Sequence, residues 1–247
     1  MSDFRYAQTS SATRSSAQVD QGLRSYMLGV YNYMTIGLAI TGLTAIGTNM
    51  MAVTTSNGVM QLTDFGATIY RGPLHWVVML APLGLIFAMG AVKSNNTLKM
   101  LFFALSALIG VSMSVIMMRY AGTSIVRTFF ITAASFGALS LYGYTTKRSL
   151  TGMGSFLMMG LFGIIIASIV NIFMASSAMQ FIISVIGVLL FAGFTAYDTQ
   201  AIKSTYLEND GYGGALNERN AIHGAVQLYL DFVNLFQFLL SIMGDRR

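Results

Sequence analysis

No cysteine occurs anywhere in the 247 residues, which excludes a disulfide framework and any thiolate metal site. Charge is nearly as scarce. Asp, Glu, Lys and Arg make up 9% of the chain, against roughly 25% in a soluble domain. So few charges do not cover a water-facing surface, and with 55% apolar residues and a mean hydropathy of +0.65 the chain reads as an integral membrane protein. The net charge of +5 does not point to nucleic acid, because the basic residues are dispersed between apolar stretches rather than clustered. The phosphate-cradling pattern Gly-x-x-x-x-Gly-Lys-Ser/Thr is missing, which argues against an ATP-driven pump. No internal repeat is evident, so a transporter built from two similar halves is not supported. No cofactor is expected.

What is present is a series of long apolar runs. A helical span needs about 20 mostly apolar residues. Seven stretches qualify, at about 26–47, 74–92, 99–118, 126–146, 153–175, 178–202 and 221–243. The predicted fold is an all-α membrane protein, a seven-transmembrane-helix bundle formed by residues 25–247 as one domain. Residues 1–24 are rich in Ser, Thr, Gln and Ala, lack an apolar signal core, and are expected to be a disordered cytoplasmic tail. With the amino terminus inside, only Arg71, Arg119, Arg127, Arg246 and Arg247 fall on the outer side, and the remaining Lys and Arg lie inside. That asymmetry favours a cytoplasmic amino terminus, and a bacterial inner membrane is the expected location. Residues 48–73 form a long outer loop on this reading, apolar enough to lie at the membrane interface. Residues 204–220 form an inner loop made flexible by Gly211, Gly213 and Gly214.

Two of the apolar runs each contain an aspartate, Asp198 in the sixth and Asp231 in the seventh. A carboxylate in the middle of a span costs roughly 2.5–3.5 kcal/mol on insertion scales, so such residues mark functional sites by default. The two spans are consecutive and antiparallel, which lets the acids meet. Such a pair is expected to titrate as one unit and to share a proton. At 100° per residue, Gln227, Asp231, Asn234 and Ser241 fall on one side of the seventh helix. Thr195 and Tyr197 add hydroxyls near Asp198. These polar groups are expected to face the bundle interior and line a pathway. Calcium takes roughly 6–8 oxygen ligands, more than two Asp with the Asn234 and Gln227 oxygens supply. Binding would therefore be transient, as suits a leak.

Several other residues carry weaker signals. Lys93 ends the second span and is read either as a latch on Asp198 or as a snorkelling anchor. Asn171 in the fifth span either lines the pathway or makes an interhelical hydrogen bond. Pro82 is placed to kink the second helix, although proline is well tolerated in membrane spans. His75 and His223 flank spans and are read as solvated. The 18 methionines serve as packing filler.

Two segments carry a family resemblance: Ala192-Gly-Phe-Thr-Ala-Tyr-Asp-Thr-Gln-Ala-Ile-Lys203 and Leu228-Tyr-Leu-Asp-Phe-Val-Asn-Leu-Phe236. They resemble the paired signatures of the Bax inhibitor-1 family, in its bacterial branch. The resemblance implies seven helices with a central one ringed by the others. It also implies a pH-sensitive calcium leak in which Asp198 and Asp231 form a hydrogen-bonded di-aspartyl sensor. In some members an arginine latches one of the acids, and by span position Lys93 fills that place here. A lysine offers a single point contact where arginine offers a fork.

Two other classes compete with the leak. One is a non-conducting regulator that binds another membrane protein through the tail or the 204–220 loop. The other is an intramembrane aspartyl protease, since two close acids sharing a proton can activate water. Against the protease, Asp231 follows Leu-Tyr-Leu where that class has Gly-x-Gly, and no Pro-Ala-Leu element occurs. The expectation is that the chain is not an enzyme.

Overall fold

The computed structural model describes residues 16–56, 59–208 and 214–246. Seven long helices dominate it: α1 (Ser16–Ala52), α3 (Leu74–Ala91), α4 (Asn95–Met113), α6 (Gly122–Thr145), α7 (Thr151–Met174), α8 (Ser177–Glu208) and α9 (Gly214–Met243). Each is long and apolar enough to cross a membrane. They coincide with the seven stretches marked out by hydropathy. Pro73 stands at the amino-terminal cap of α3, and the helix runs on through Pro82.

Where the expected boundaries fail, the helices extend into polar sequence. The first helix begins at Ser16, so residues 16–24 continue α1 rather than forming part of a disordered tail; residues 1–15 lie outside the described residues. The reason is packing at helical spacing: Leu23, Tyr26, Met27, Val30 and Met34 are all buried along one face of α1. Tyr26 lies against Tyr206, with ring centroids 5.0 Å apart. That same contact carries α8 through to Glu208. The expected inner loop thus shrinks, with α9 taking over at Gly214 and residues 209–213 outside the described residues.

The 48–73 segment is structured and not an open loop. Strands β1 (Val53–Ser56) and β2 (Val59–Leu62) pair antiparallel with Thr54 opposite Gln61. The short helix α2 (Asp64–Tyr70) follows, capped by the Thr63 hydroxyl, which accepts the Gly66 N–H. Thr63 also ties back to α1 by donating its hydroxyl to the Met51 carbonyl at 2.8 Å. The Tyr70 hydroxyl pairs with Ser114 Oγ at 2.7 Å, just before the one-turn helix α5 (Ile116–Arg119).

Helix α9 packs against α1, α4, α6 and α8. Half of its apolar window is buried, against 6% for α3 at the periphery. It is the central helix of the bundle. Close approach elsewhere depends on glycine. A Cβ on Gly143 of α6 would collide with the Ala196 carbonyl oxygen of α8, and one on Gly110 of α4 with Thr41 and Thr44 of α1.

One end of the bundle gathers polar contacts. Lys99 pairs with Glu218, which also accepts a hydrogen bond from Asn95 Nδ2 at 3.0 Å. Arg219 donates to the carbonyls of Val92 and Lys93 beyond α3. Lys203 Nζ donates to the Tyr144 carbonyl at 2.8 Å, near the carboxyl end of α6. At the opposite end Asp245 holds α6, accepting from Ser124 Oγ at 2.7 Å and from Arg127 at 3.3 Å.

Candidate functional site

Asp198 and Asp231 face each other across the seam between α8 and α9, with their carboxyl groups close enough to interact. Two ionised carboxylates have four acceptor oxygens and no donor. A hydrogen bond from one to the other would therefore need a proton, held by one and accepted by the other. Asp231 is buried, and its Oδ2 receives no hydrogen bond from an N–H or hydroxyl donor among the described residues. Asp198 is half-buried. It lies five residues before Lys203, about 7.5 Å along the helix.

No lysine or arginine side chain forms an ion pair with either acid among the described residues. Lys93, read either as a latch on Asp198 or as a snorkelling anchor, has an exposed side chain that makes no ion pair with either acid. Its backbone carbonyl is taken by Arg219 instead. The chain turns between α3 and α4 at this point, where a long flexible side chain meets water more readily than the packed α8–α9 seam.

The other expected pathway residues divide. Thr195 is fully buried beside the pair, with its hydroxyl donating to the Phe191 carbonyl at 2.7 Å. Tyr197 points elsewhere: its ring lies over Gly154 of α7. One residue is 100° of helix, enough to turn Tyr197 from the α9 seam toward α7. Asn171 stands at the carboxyl end of α7. Its Oδ1 accepts the Ser176 N–H at 3.1 Å and its Nδ2 donates to Gln180 Oε1 at 3.3 Å. It caps the α7–α8 turn, the blander of its two readings. Gln227 is exposed, not turned into the bundle. Asn234 is half-buried and returns its amide N–H to the Leu230 carbonyl at 2.8 Å.

Beyond the acids, the α8–α9 seam has a layered order. Phe191 and Phe238 stack with centroids 5.8 Å apart, and the Phe238 ring fills the space beside Gly187. Past them Ser184 Oγ donates to Ser241 Oγ at 3.0 Å. At that level a cleft of about 220 Å³ opens, lined among others by Arg119, Gln180, Asn234, Gln237 and Ser241. An acid pair, an aromatic stack and a polar cleft that reaches Asn234 thus lie along one helix pair.

Hydroxyl clusters that sequence reading did not assign surround this seam. Thr199 Oγ1 of α8 meets Ser140 Oγ of α6 at 2.9 Å, and Ser140 meets the Tyr31 hydroxyl of α1 at 2.5 Å. Tyr229, fully buried in α9, shares a hydrogen bond with Thr41 Oγ1 at 2.7 Å, and Thr41 reaches the Ser106 carbonyl at 2.9 Å. Tyr229 lies two residues before Asp231 within the quoted signature. Hydroxyls cost little in an apolar run, so their pairing across helices leaves no mark in hydropathy.

Comparison with known proteins covers almost the whole molecule. The family model described as inhibitor of apoptosis-promoting Bax1 matches residues 23–247. An uncharacterized protein of Caulobacter vibrioides is 45% identical over the full length of both chains. Uncharacterized protein RP147 of Rickettsia prowazekii is 46% identical over 98% of each. Inner membrane protein YbhL of Escherichia coli is 41% identical over 94% of this chain and 97% of its own.

Proposed function

The chain belongs to the Bax inhibitor-1 family, and on that footing we propose that this integral membrane protein is a pH-sensitive calcium leak gated by the Asp198–Asp231 pair. The observation that carries the reading is the proximity of two carboxyl groups inside two membrane-length helices. With one proton shared, the acids bind each other and the seam stays shut. When that proton leaves, two adjacent negative charges repel across a low-dielectric seam. A cation that enters relieves the repulsion. Calcium is the cargo, held briefly, because the pair alone supplies few of the oxygens calcium takes.

The proposed orientation has the amino terminus and the Lys99–Glu218 end in the cytoplasm of a bacterial cell. The cleft at Arg119 and Gln180 then faces outward, with Phe238 in its wall and Asn234, one turn from Asp231, at its inner edge. Ions crossing by this route pass the aromatic stack as well as the acid pair. No catalytic role is proposed for the two acids.

The test is calcium flux through pure protein in liposomes, read with an enclosed calcium-sensitive dye. Wild-type flux is expected to rise with pH as the shared proton is lost. Asp198→Asn and Asp231→Asn are expected to flatten that profile. Pure protein that passes no calcium at any pH would leave a regulator of another membrane complex as the better description.

A further inference from the structure

Two cavities form one continuous groove along α9. The first, of about 650 Å³, runs from Arg24, Tyr31 and Tyr144 to Leu38, Phe129 and Phe232. The second, of about 350 Å³, shares those last three residues and continues to Ile46 and Met117. Helices α1 and α6 form its walls and are bridged by the Tyr31–Ser140 hydrogen bond. Gly137 and Gly42 line it, and a Cβ added at either would meet nothing within 4 Å. The groove is therefore open space at both levels.

Its two ends differ in chemistry. The second cavity is almost wholly apolar in its lining. The first ends at Arg24, which is exposed and forms no ion pair among the described residues. Beside Arg24 stands Tyr144, whose ring lies 5.0 Å from Lys203 Nζ. No acidic side chain lines either cavity. From Arg24 to Leu38 is 14 residues of α1, about 21 Å of helix. One leaflet of hydrocarbon is about half of 30 Å. The first cavity thus spans one leaflet plus its head-group layer, with a cation at the head-group level and an apolar trough below.

We propose that this groove is a binding site for one anionic glycerophospholipid, with its phosphate on Arg24 and an acyl chain lying against Phe129, Phe136 and Phe232. The guanidinium offers a forked pair of donors to phosphate oxygens. No acid lines the groove itself; the nearest along α1 is Asp20, exposed one turn before Arg24. A second copy of the chain would need a projecting apolar segment to fill the trough.

Native mass spectrometry of the full chain, titrated separately with palmitoyl-oleoyl phosphatidylglycerol and phosphatidylcholine, decides the matter. One phosphatidylglycerol is expected to be retained in preference to phosphatidylcholine. Arg24→Gln is expected to weaken phosphatidylglycerol about fivefold, the size of one basic contact with an anionic lipid, and to leave phosphatidylcholine unchanged. Gly137→Leu, which fills the trough, is expected to displace both. Helical circular dichroism of each variant checks the fold, and Arg24→Gln alone is decisive if Gly137→Leu does not fold. Equal retention of the two lipids, or an unchanged affinity in Arg24→Gln, overturns the proposal. So does a lipid-free dimer that Gly137→Leu dissociates, because the groove then receives another copy. None of these outcomes depends on calcium flux.

Discussion

Asp231 and Tyr229 lie two residues apart on α9, and substitutions at them have opposite expected outcomes. Asp231→Asn keeps the size and can still donate one hydrogen bond to Asp198, so the fold is expected to persist while the pH response of flux is lost. Tyr229→Phe removes one hydroxyl from Thr41. Interhelical hydrogen bonds in membranes average about 0.6 kcal/mol, so a small drop in unfolding free energy is expected, measured by denaturation in mixed micelles, with the pH profile intact. A flattened profile in Tyr229→Phe would extend the sensor beyond the acids. The acids were legible in the sequence because charge in an apolar run is rare. Side-chain direction was less so. Gln227 and Asp231 are only about 40° apart on a helical wheel, yet one is exposed and the other buried. The wheel gives the angle, but not where the neighbouring helices stop.

At the scale of elements, Asn171 separates two kinds of polar residue. A polar side chain in a span looks the same whether it lines a pathway or closes a turn. Here it closes the α7–α8 turn, where Ala175 takes the left-handed conformation at φ 49°. Asn171→Ala should cost about 1 kcal/mol, the net worth of a hydrogen bond, and leave calcium flux and its pH dependence unchanged. Any shift in that pH dependence would return Asn171 to the pathway. Gly143→Leu forces α6 away from α8 at the Ala196 carbonyl. A loss of about 1–3 kcal/mol is expected, the usual range for overpacking, seen as a lowered Tm. Hydropathy marked where these helices cross but not how far they run. Leu23, Tyr26 and Tyr206 prolong α1 and α8 by packing on each other, and a scan of apolar content passes over such sparse, spaced residues. The 48–73 segment escaped for a related reason, since two four-residue strands leave little periodicity to read.

For the whole molecule, the seven spans follow from composition alone, because lipid demands that each crossing be helical and about 20 residues long. Which helix sits in the middle does not follow from hydropathy: α9 is less apolar than α3 or α7, and its position comes from being covered on several sides. Orientation is directly testable, since the chain has no cysteine to interfere. Asn96→Cys, before the apolar part of α4, and Thr123→Cys, at the start of α6, are both at exposed positions. In intact cells a membrane-impermeant maleimide is expected to label Thr123→Cys and spare Asn96→Cys. The reverse pattern would invert the proposed topology.

The segment after α9 is sewn to the start of α6: Ala121 N–H donates to the Asp245 carbonyl, and Tyr120 bridges Arg246. Affinity handles and fluorescent fusions attached close behind that stitch would tug on the central helix itself. Fusion design for this protein should put a long spacer at that end, so that any change in the liposome assay can be charged to a mutation and not to the label.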